Sequence, residues 1–256
     1  MSRERCYRCF WPKELCWCGS IHPMPTRTKF VFLMHPKEFK DQRTGTGRLT
    51  HLCLADSELH MGIGFDEVEV VQALIRDPAN FPVLLYPGPQ ARMLPGGLHQ
   101  EELGERRLVV FLLDGTWACA AKMLRLSATL RRLPRIMFPP AAPSGFVIKQ
   151  QPVVGCLSTL EATHELLLGL ERAGLDHYAL PEQLPGLFHR MQDFLIRCAR
   201  DPSRPGYRRQ PYGTPGERRG TRGPGTSRPL KLFPTGEGTG PESPPSPSER
   251  PGPHVP

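Results

Sequence analysis

The chain alternates between short, nearly continuous apolar runs and longer stretches in which apolar residues recur every three or four positions. KFVFLM (29–34), VEVVQAL (68–74), FPVLLY (81–86), RLVVFLL (107–113), RIMF (135–138) and GFVIKQ (145–150) are rich in β-branched and aromatic residues and are predicted strands. Most are apolar at successive positions, the pattern of a sheet covered on both faces. The stretches 47–59, 117–133, 159–173 and 184–200 have helical spacing. In the second of them Trp117, Ala121, Leu124 and Ala128 form one stripe, while Lys122, Arg125, Arg131 and Arg132 fall on other faces. Strands alternating with helices predict an α/β fold with a largely parallel sheet and helices on both faces. In such sheets ligands collect at the carboxyl ends of the strands.

The pattern fails at both ends of the chain. Residues 1–28 are rich in Cys, Pro and Trp and have no period. From Asp201 onward, 56 residues hold 14 of the 30 prolines and 10 of the 25 glycines, with almost no apolar side chains, so this segment is expected to be a disordered tail without a core. The predicted organisation is a small N-terminal knuckle (1–28), one compact domain (29–200) and the tail (201–256). Two domains of ordinary enzyme size are excluded. The net charge is +8, half of it in the tail, where nine basic residues face five acidic ones. A polyanionic partner fits that surplus, and so does an ordinary solvated surface. No run approaches the ~20 apolar residues of a membrane span, and MSRERCYRCF is not followed by an apolar leader, so no membrane is expected and the chain reads as cytoplasmic.

In a reducing compartment cysteines serve as ligands or as small hydrophobes. Cys6, Cys9, Cys16 and Cys18 lie within thirteen residues as Cys-x-x-Cys, a six-residue gap and Cys-x-Cys. That grouping suits tetrahedral Zn²⁺, and four thiolates would leave no open coordination position, which makes the ion structural. Redox-active thiols are the competing reading. Trp11 and Trp17 are expected to pack on the knuckle.

The run 107–113 ends in Asp114-Gly115-Thr116-Trp117, directly before a predicted helix. A carboxylate at the carboxyl end of an apolar strand sits where α/β enzymes place their reactive groups, yet Asp-Gly-Thr is equally a helix-capping turn. His35-Pro36-Lys37-Glu38, Thr44-Gly45-Thr46-Gly47-Arg48-Leu49 and Cys156-Leu157-Ser158-Thr159-Leu160-Glu161-Ala162 likewise follow or open predicted elements. Ser158 or Thr159 reads as an N-cap with Glu161 in the first turn, and that helix start suits a carboxylate or a phosphate.

Taken together, the four-cysteine knuckle, HPKE (35–38), TGRL (46–49), LYPG (85–88), LDGTW (113–117), KQQP (149–152) and CLSTLEA (156–162) resemble the DTW-domain family of tRNA-uridine aminocarboxypropyltransferases, over about residues 6–173. The family signature is Asp-x-Thr-Trp, with Gly115 as x here. Lys149 stands where the family's basic-x-Gln-Pro pattern has Arg, which keeps the charge and gives up bidentate geometry. The resemblance implies a SPOUT-like fold with a parallel sheet and a knot that cradles S-adenosylmethionine. It implies transfer of the 3-amino-3-carboxypropyl group of that co-substrate to N3 of a tRNA uridine, with methylthioadenosine released.

N3 of uridine is a weakly acidic imide, so Asp114 is the candidate base, its pKa expected to rise through partial burial beneath Trp117. The resemblance further makes Thr116 and Trp117 catalytic neighbours of Asp114. It lays the cofactor along Tyr86, Pro87, Gly88, Leu157, Ser158 and Thr159, and offers Lys37, Arg48 and Lys149 to tRNA phosphate or the cofactor carboxylate. A SPOUT-type RNA methyltransferase and a non-enzymatic zinc-knuckle RNA-binding protein are the alternatives. SPOUT relatives are commonly dimers, so an oligomer is compatible with the sequence.

Overall fold

The computed structural model describes residues 4–13, 16–40, 45–139, 144–146 and 157–200. The expected strand over 145–150 therefore falls mostly outside the described residues, as do Lys149, the KQQP stretch and the segment 201–256. Among the described residues six strands form one sheet: β1 (Lys29–Met34), β2 (Ser57–Met61), β3 (Asn80–Leu85), β4 (Arg92–Met93), β5 (Arg107–Asp114) and β6 (Arg135–Met137). Their spatial order is β2-β1-β5-β3-β6-β4, and every pairing is parallel. β5 lies between β1 and β3, with Met34 opposite Asp114, so the carboxyl ends of the two longest-paired strands finish level.

Two buried clusters divide the side chains of these strands by the period of two. Phe30, Phe32, Val83, Val110, Leu112 and Ile136 face one side, together with residues of α2 (Thr46–Cys53), α7 (Thr159–Arg172) and α8 (Gln183–Arg200). Val31, Leu33, Leu84, Val109 and Phe111 face the other, with α3 (Glu69–Arg76), α5 (Trp117–Arg125) and α6 (Ala128–Arg132). Both faces are covered, which is why the strands read as continuous apolar runs. Two further short α-helices lie among the described residues, α1 (Pro36–Lys40) and α4 (Gln100–Leu103).

Four elements depart from the expectation. VEVVQAL is not a strand: its residues enter α3, where Val71 and Gln72 are buried, Val68 and Ile75 pack beside them, and Val70 stands exposed. Side chains at 68, 71, 72 and 75 share one helical face, and that packing overrides β-propensity. The predicted helix over 47–59 ends at Cys53, and the chain then turns into β2, an edge strand of mixed polarity that is half-buried up to His60. Ser57 Oγ lies within hydrogen-bond reach of the carbonyls of His51 and Leu54 at the helix end, at 2.9 and 3.0 Å. The predicted helix over 117–133 is broken at Leu126–Ser127. Ser127 Oγ donates to Met123 O, while the carboxylate of Asp66 accepts from the backbone N–H groups of Ala128 and Thr129 and so starts α6 anew. The buried face of α5 is Ala120, Met123 and Leu124 rather than the Trp117–Ala121–Leu124 stripe, and Trp117 is 38% exposed. Last, β4 is too short to leave a periodic signal.

The cysteine segment is not a detached body. Trp11 and Trp17 meet edge to face at 5.3 Å, and their ring centroids lie 6.0 and 6.3 Å from that of Phe194 on α8. Cys9, Trp11, Ile21 and Met24 belong to the same buried cluster as Leu49, Leu166 and Leu187.

Candidate functional site at the carboxyl ends of the strands

Asp114 ends β5 and is buried. Its carbonyl oxygen accepts from the backbone N–H of His35 at 2.8 Å, which ties the loop after β1 to the end of β5. Its carboxylate lies between the first turns of two helices. Thr159, the first residue of α7, donates from Oγ1 to Asp114 Oδ1 at 2.6 Å. On the other side is Gly47, the second residue of α2: a Cβ there would stand 2.2 Å from Asp114 Oδ2. Only glycine admits the carboxylate, and the partial positive charge at each helix start attracts it. What covers Asp114 is thus α2 and α7, whereas Trp117 lines the neighbouring cavity.

Gly115 makes the turn out of β5. A Cβ on it would meet Cys119 Cβ at 3.1 Å and His35 Cβ at 3.4 Å. Thr116 is the N-cap of α5, its hydroxyl accepting from the backbone N–H of Cys119 at 3.3 Å. Ser158 caps α7 in a reciprocal box with Glu161. The carboxylate of Glu161 also accepts from Ser144 and from the backbone N–H of Gly145, so it fixes chain geometry. His35 Nδ1 accepts from the backbone N–H of Lys37 at 3.1 Å, which leaves the proton of the neutral ring on Nε2. Burial, and then the charges of Lys37 and Lys122, pull the His35 pKa below the ordinary imidazole value.

A cavity of about 230 Å³ opens beside this turn. Its walls are Leu85, Tyr86 and Pro87 at the end of β3, Leu112, Leu113 and Gly115 at the end of β5, Met137 and Phe138 at the end of β6, Trp117 and Ala120 of α5, and Leu157, Thr159 and Ala162 at α7. The volume falls below the roughly 300–1,000 Å³ usual for small-molecule sites, and the lining is mostly apolar, as such sites usually are. Tyr86 and Trp117 stand 6.1 Å apart, and the Arg135 guanidinium lies 5.6 Å from the Tyr86 ring centroid. Thr159 is the hinge between cavity and carboxylate, because it lines the first and donates to the second.

Of the sequence-predicted residues, Tyr86, Pro87, Trp117, Leu157 and Thr159 line the cavity. Gly88 packs instead under Arg135, where a Cβ would stand 2.9 Å from Nη1. Lys37 is exposed on α1 near His35, and the Arg48 guanidinium lies over the rings of both Phe10 and Phe39. Gly47, His35, Met137, Phe138, Phe10 and Phe39 were not singled out by sequence. The first two sat in quoted motifs, and the others carried no signal.

The four cysteine sulfurs of the knuckle all lie within 4.8 Å of one another. Cys6–Cys18 and Cys9–Cys16 are each 3.7 Å apart. Bonds of ~2.3 Å to one tetrahedral ion place sulfurs ~3.8 Å apart, so the four thiols fit a single metal ion. The backbone N–H groups of Cys9 and Arg8 turn toward Cys6 and lower its pKa to about 6. Burial raises those of Cys9 and Cys18.

A parallel α/β sheet whose carboxyl-end cavity adjoins a buried carboxylate, packed against four thiols that could hold a metal ion, defines the class of this α/β protein. Within that class the chain belongs to the DTW-domain family, whose model matches residues 3–196. Three curated relatives carry the name tRNA-uridine aminocarboxypropyltransferase 2. The chain is 31% identical over 176 residues to that of Drosophila melanogaster (66% of this chain, 67% of the relative). It is 30% identical over 177 residues to that of Mus musculus and 27% over 174 residues to that of Macaca fascicularis, with 66% of this chain and 57% of the relative covered in each case. The chain thus spans little more than half the length of the two mammalian relatives. No solved structure matches it.

Proposed function

We propose that this protein is a tRNA-modifying transferase that moves the 3-amino-3-carboxypropyl group of S-adenosylmethionine to N3 of a tRNA uridine. The observation that carries the reading is the buried carboxylate of Asp114, joined through Thr159 to an apolar cavity at the carboxyl ends of β3, β5 and β6. The relatives named tRNA-uridine aminocarboxypropyltransferase 2 support aminocarboxypropyl transfer to a tRNA uridine.

The sulfonium donor supplies an electrophilic carbon and leaves as neutral methylthioadenosine. The work of the chain is to take the N3 proton and hold the two reactants in line. Asp114 accepts that proton, directly or across the Thr159 hydroxyl, as the N3–carbon bond forms and the carbon–sulfur bond breaks. Orientation decides which of three carbons on sulfur reacts. The walls after β3 and β6, with Leu157 and Ala162, exclude water and fix the donor. Tyr86 and Trp117 offer flat aromatic faces on which a nucleobase can stack. Thr116 and Ser158 act by starting the helices that aim these groups.

Lys37, Arg48 and Lys149 are proposed to meet oxyanions of the substrates, and Cys6, Cys9, Cys16 and Cys18 to hold structural Zn²⁺. The organisation proposed is the knuckle (1–28), a catalytic domain (29–200) of SPOUT-like, knotted type, and an accessory tail (201–256), acting in the cytosol. No helix among the described residues is long and apolar enough to cross a membrane. Nucleoside analysis of tRNA from cells with and without the gene tests the reading: loss of aminocarboxypropyl-uridine is expected, and an unchanged nucleoside profile contradicts it.

A further inference from the structure

We propose that Arg48 is the oxyanion anchor of the site and that the cysteine knuckle holds it in place through Phe10; the inference rests on the transferase reading above. The guanidinium carbon of Arg48 lies 4.0 Å from the Phe10 ring centroid and 4.7 Å from that of Phe39, and the two rings are 5.8 Å apart. Cation–π contacts of this kind fix a guanidinium without using any of its N–H donors. Arg48 Nη2 is shut away from solvent and has no hydrogen-bond partner among the described residues. The other two side-chain atoms in that condition, Trp17 Nε1 and Thr28 Oγ1, belong to neutral groups. A buried charged donor without an acceptor is costly, and an arriving oxyanion removes that cost.

The position suits the chemistry. Gly47, one residue before Arg48, packs against the Asp114 carboxylate, and the charge of that carboxylate acts on the Arg48 guanidinium, so an anion held at Arg48 lies near the proposed base. The planar fork of arginine matches a two-oxygen anion. The reactants bring two: the carboxylate of the group being transferred and an RNA phosphate near the target uridine. Phe10 lies in the knuckle between Cys9 and Trp11, in a left-handed backbone conformation at φ 63°, and its N–H donates to the Cys6 carbonyl at 2.8 Å. The turn that gathers the thiols therefore also aims the ring, and Phe10 is a positioning residue of the site.

Calorimetric titration of the full, metal-loaded chain separates the sources. S-adenosylmethionine, its decarboxylated analogue and tRNA are each titrated into wild type, Arg48→Gln and Phe10→Leu, with zinc content measured on every sample. The wild type is expected to prefer the carboxylated donor by about 10-fold or more, and Arg48→Gln to erase that preference, if the anion is the donor carboxylate. If it is an RNA phosphate, Arg48→Gln weakens tRNA by a similar factor and spares both donors. Phe10→Leu, with zinc retained, reproduces the defect in weaker form. Unchanged affinities in Arg48→Gln overturn the anchor, as does an equal loss for both donors with tRNA spared. Wild-type behaviour of Phe10→Leu overturns the clamp. A wild type that binds neither donor removes the transferase reading itself, and this inference with it.

Discussion

Thr159 Oγ1 donates a 2.6 Å hydrogen bond to Asp114 Oδ1 across 45 residues of sequence. The bond joins the start of α7 to the end of β5, and Thr159 is the member of the pair that also lines the cavity. Thr159→Val keeps the shape and removes the donor. Transfer is expected to fall about 10- to 100-fold, the range of one lost hydrogen bond to a charged group, while Thr159→Ser retains most of the activity. Rate measurements on the two variants check this, and equal rates would detach Thr159 from the chemistry.

Gly47→Ala separates activity from stability. Alanine in a helix is favoured over glycine by up to ~1 kcal/mol. Here its Cβ would stand 2.2 Å from Asp114 Oδ2, so either the carboxylate or the helix must move. Displacing a catalytic group by about 1 Å costs on the order of 100-fold in rate. Activity is expected to collapse while the chain still folds cooperatively, with a Tm at or below that of the wild type.

Metal removal should reach beyond the knuckle. Trp11 and Trp17 pack on Phe194, and Cys9 lies in the main buried cluster. Chelation or Cys9→Ser is expected to lower the metal content and, with it, the Tm of the whole domain rather than of a separate transition. Scanning calorimetry with metal analysis distinguishes the two outcomes.

Burial lowers the pKa values of His35, His51 and His164 below the ordinary imidazole value. The unfolded chain, with ordinary histidines, then binds more protons than the folded one below pH ~6.5. The stability these groups contribute is complete above that pH and is lost as the pH falls toward their folded values. Tm is expected to decline from pH 7 to pH 5, and His164→Gln to flatten part of that slope.

The sequence made the fold readable where burial is two-sided and hid it where burial is one-sided. β1, β3 and β5 are continuous apolar runs because both of their faces are covered. β2 (SELHM) is an edge strand of mixed polarity and merged with the helix before it. VEVVQAL carried a β-branched composition that outweighed its helical spacing until the packing of Val71 and Gln72 decided the matter. Asp114 was legible as a candidate from its place at the end of an apolar run together with the motifs that resemble the DTW-domain family, and the cysteine cluster from its spacing. The clamp of Arg48 by Phe10 and Phe39 was not, because three side chains from separate segments meet only after folding.

The central claim is that Asp114 takes the N3 proton in an aminocarboxypropyl transfer. Purified wild type and Asp114→Asn, each with S-adenosylmethionine and tRNA, are compared by mass spectrometry of the digested nucleosides, with circular dichroism as the check on folding. The account predicts aminocarboxypropyl-uridine and methylthioadenosine from the wild type, and neither from a folded Asp114→Asn. A folded Asp114→Asn that transfers at the wild-type rate would contradict it.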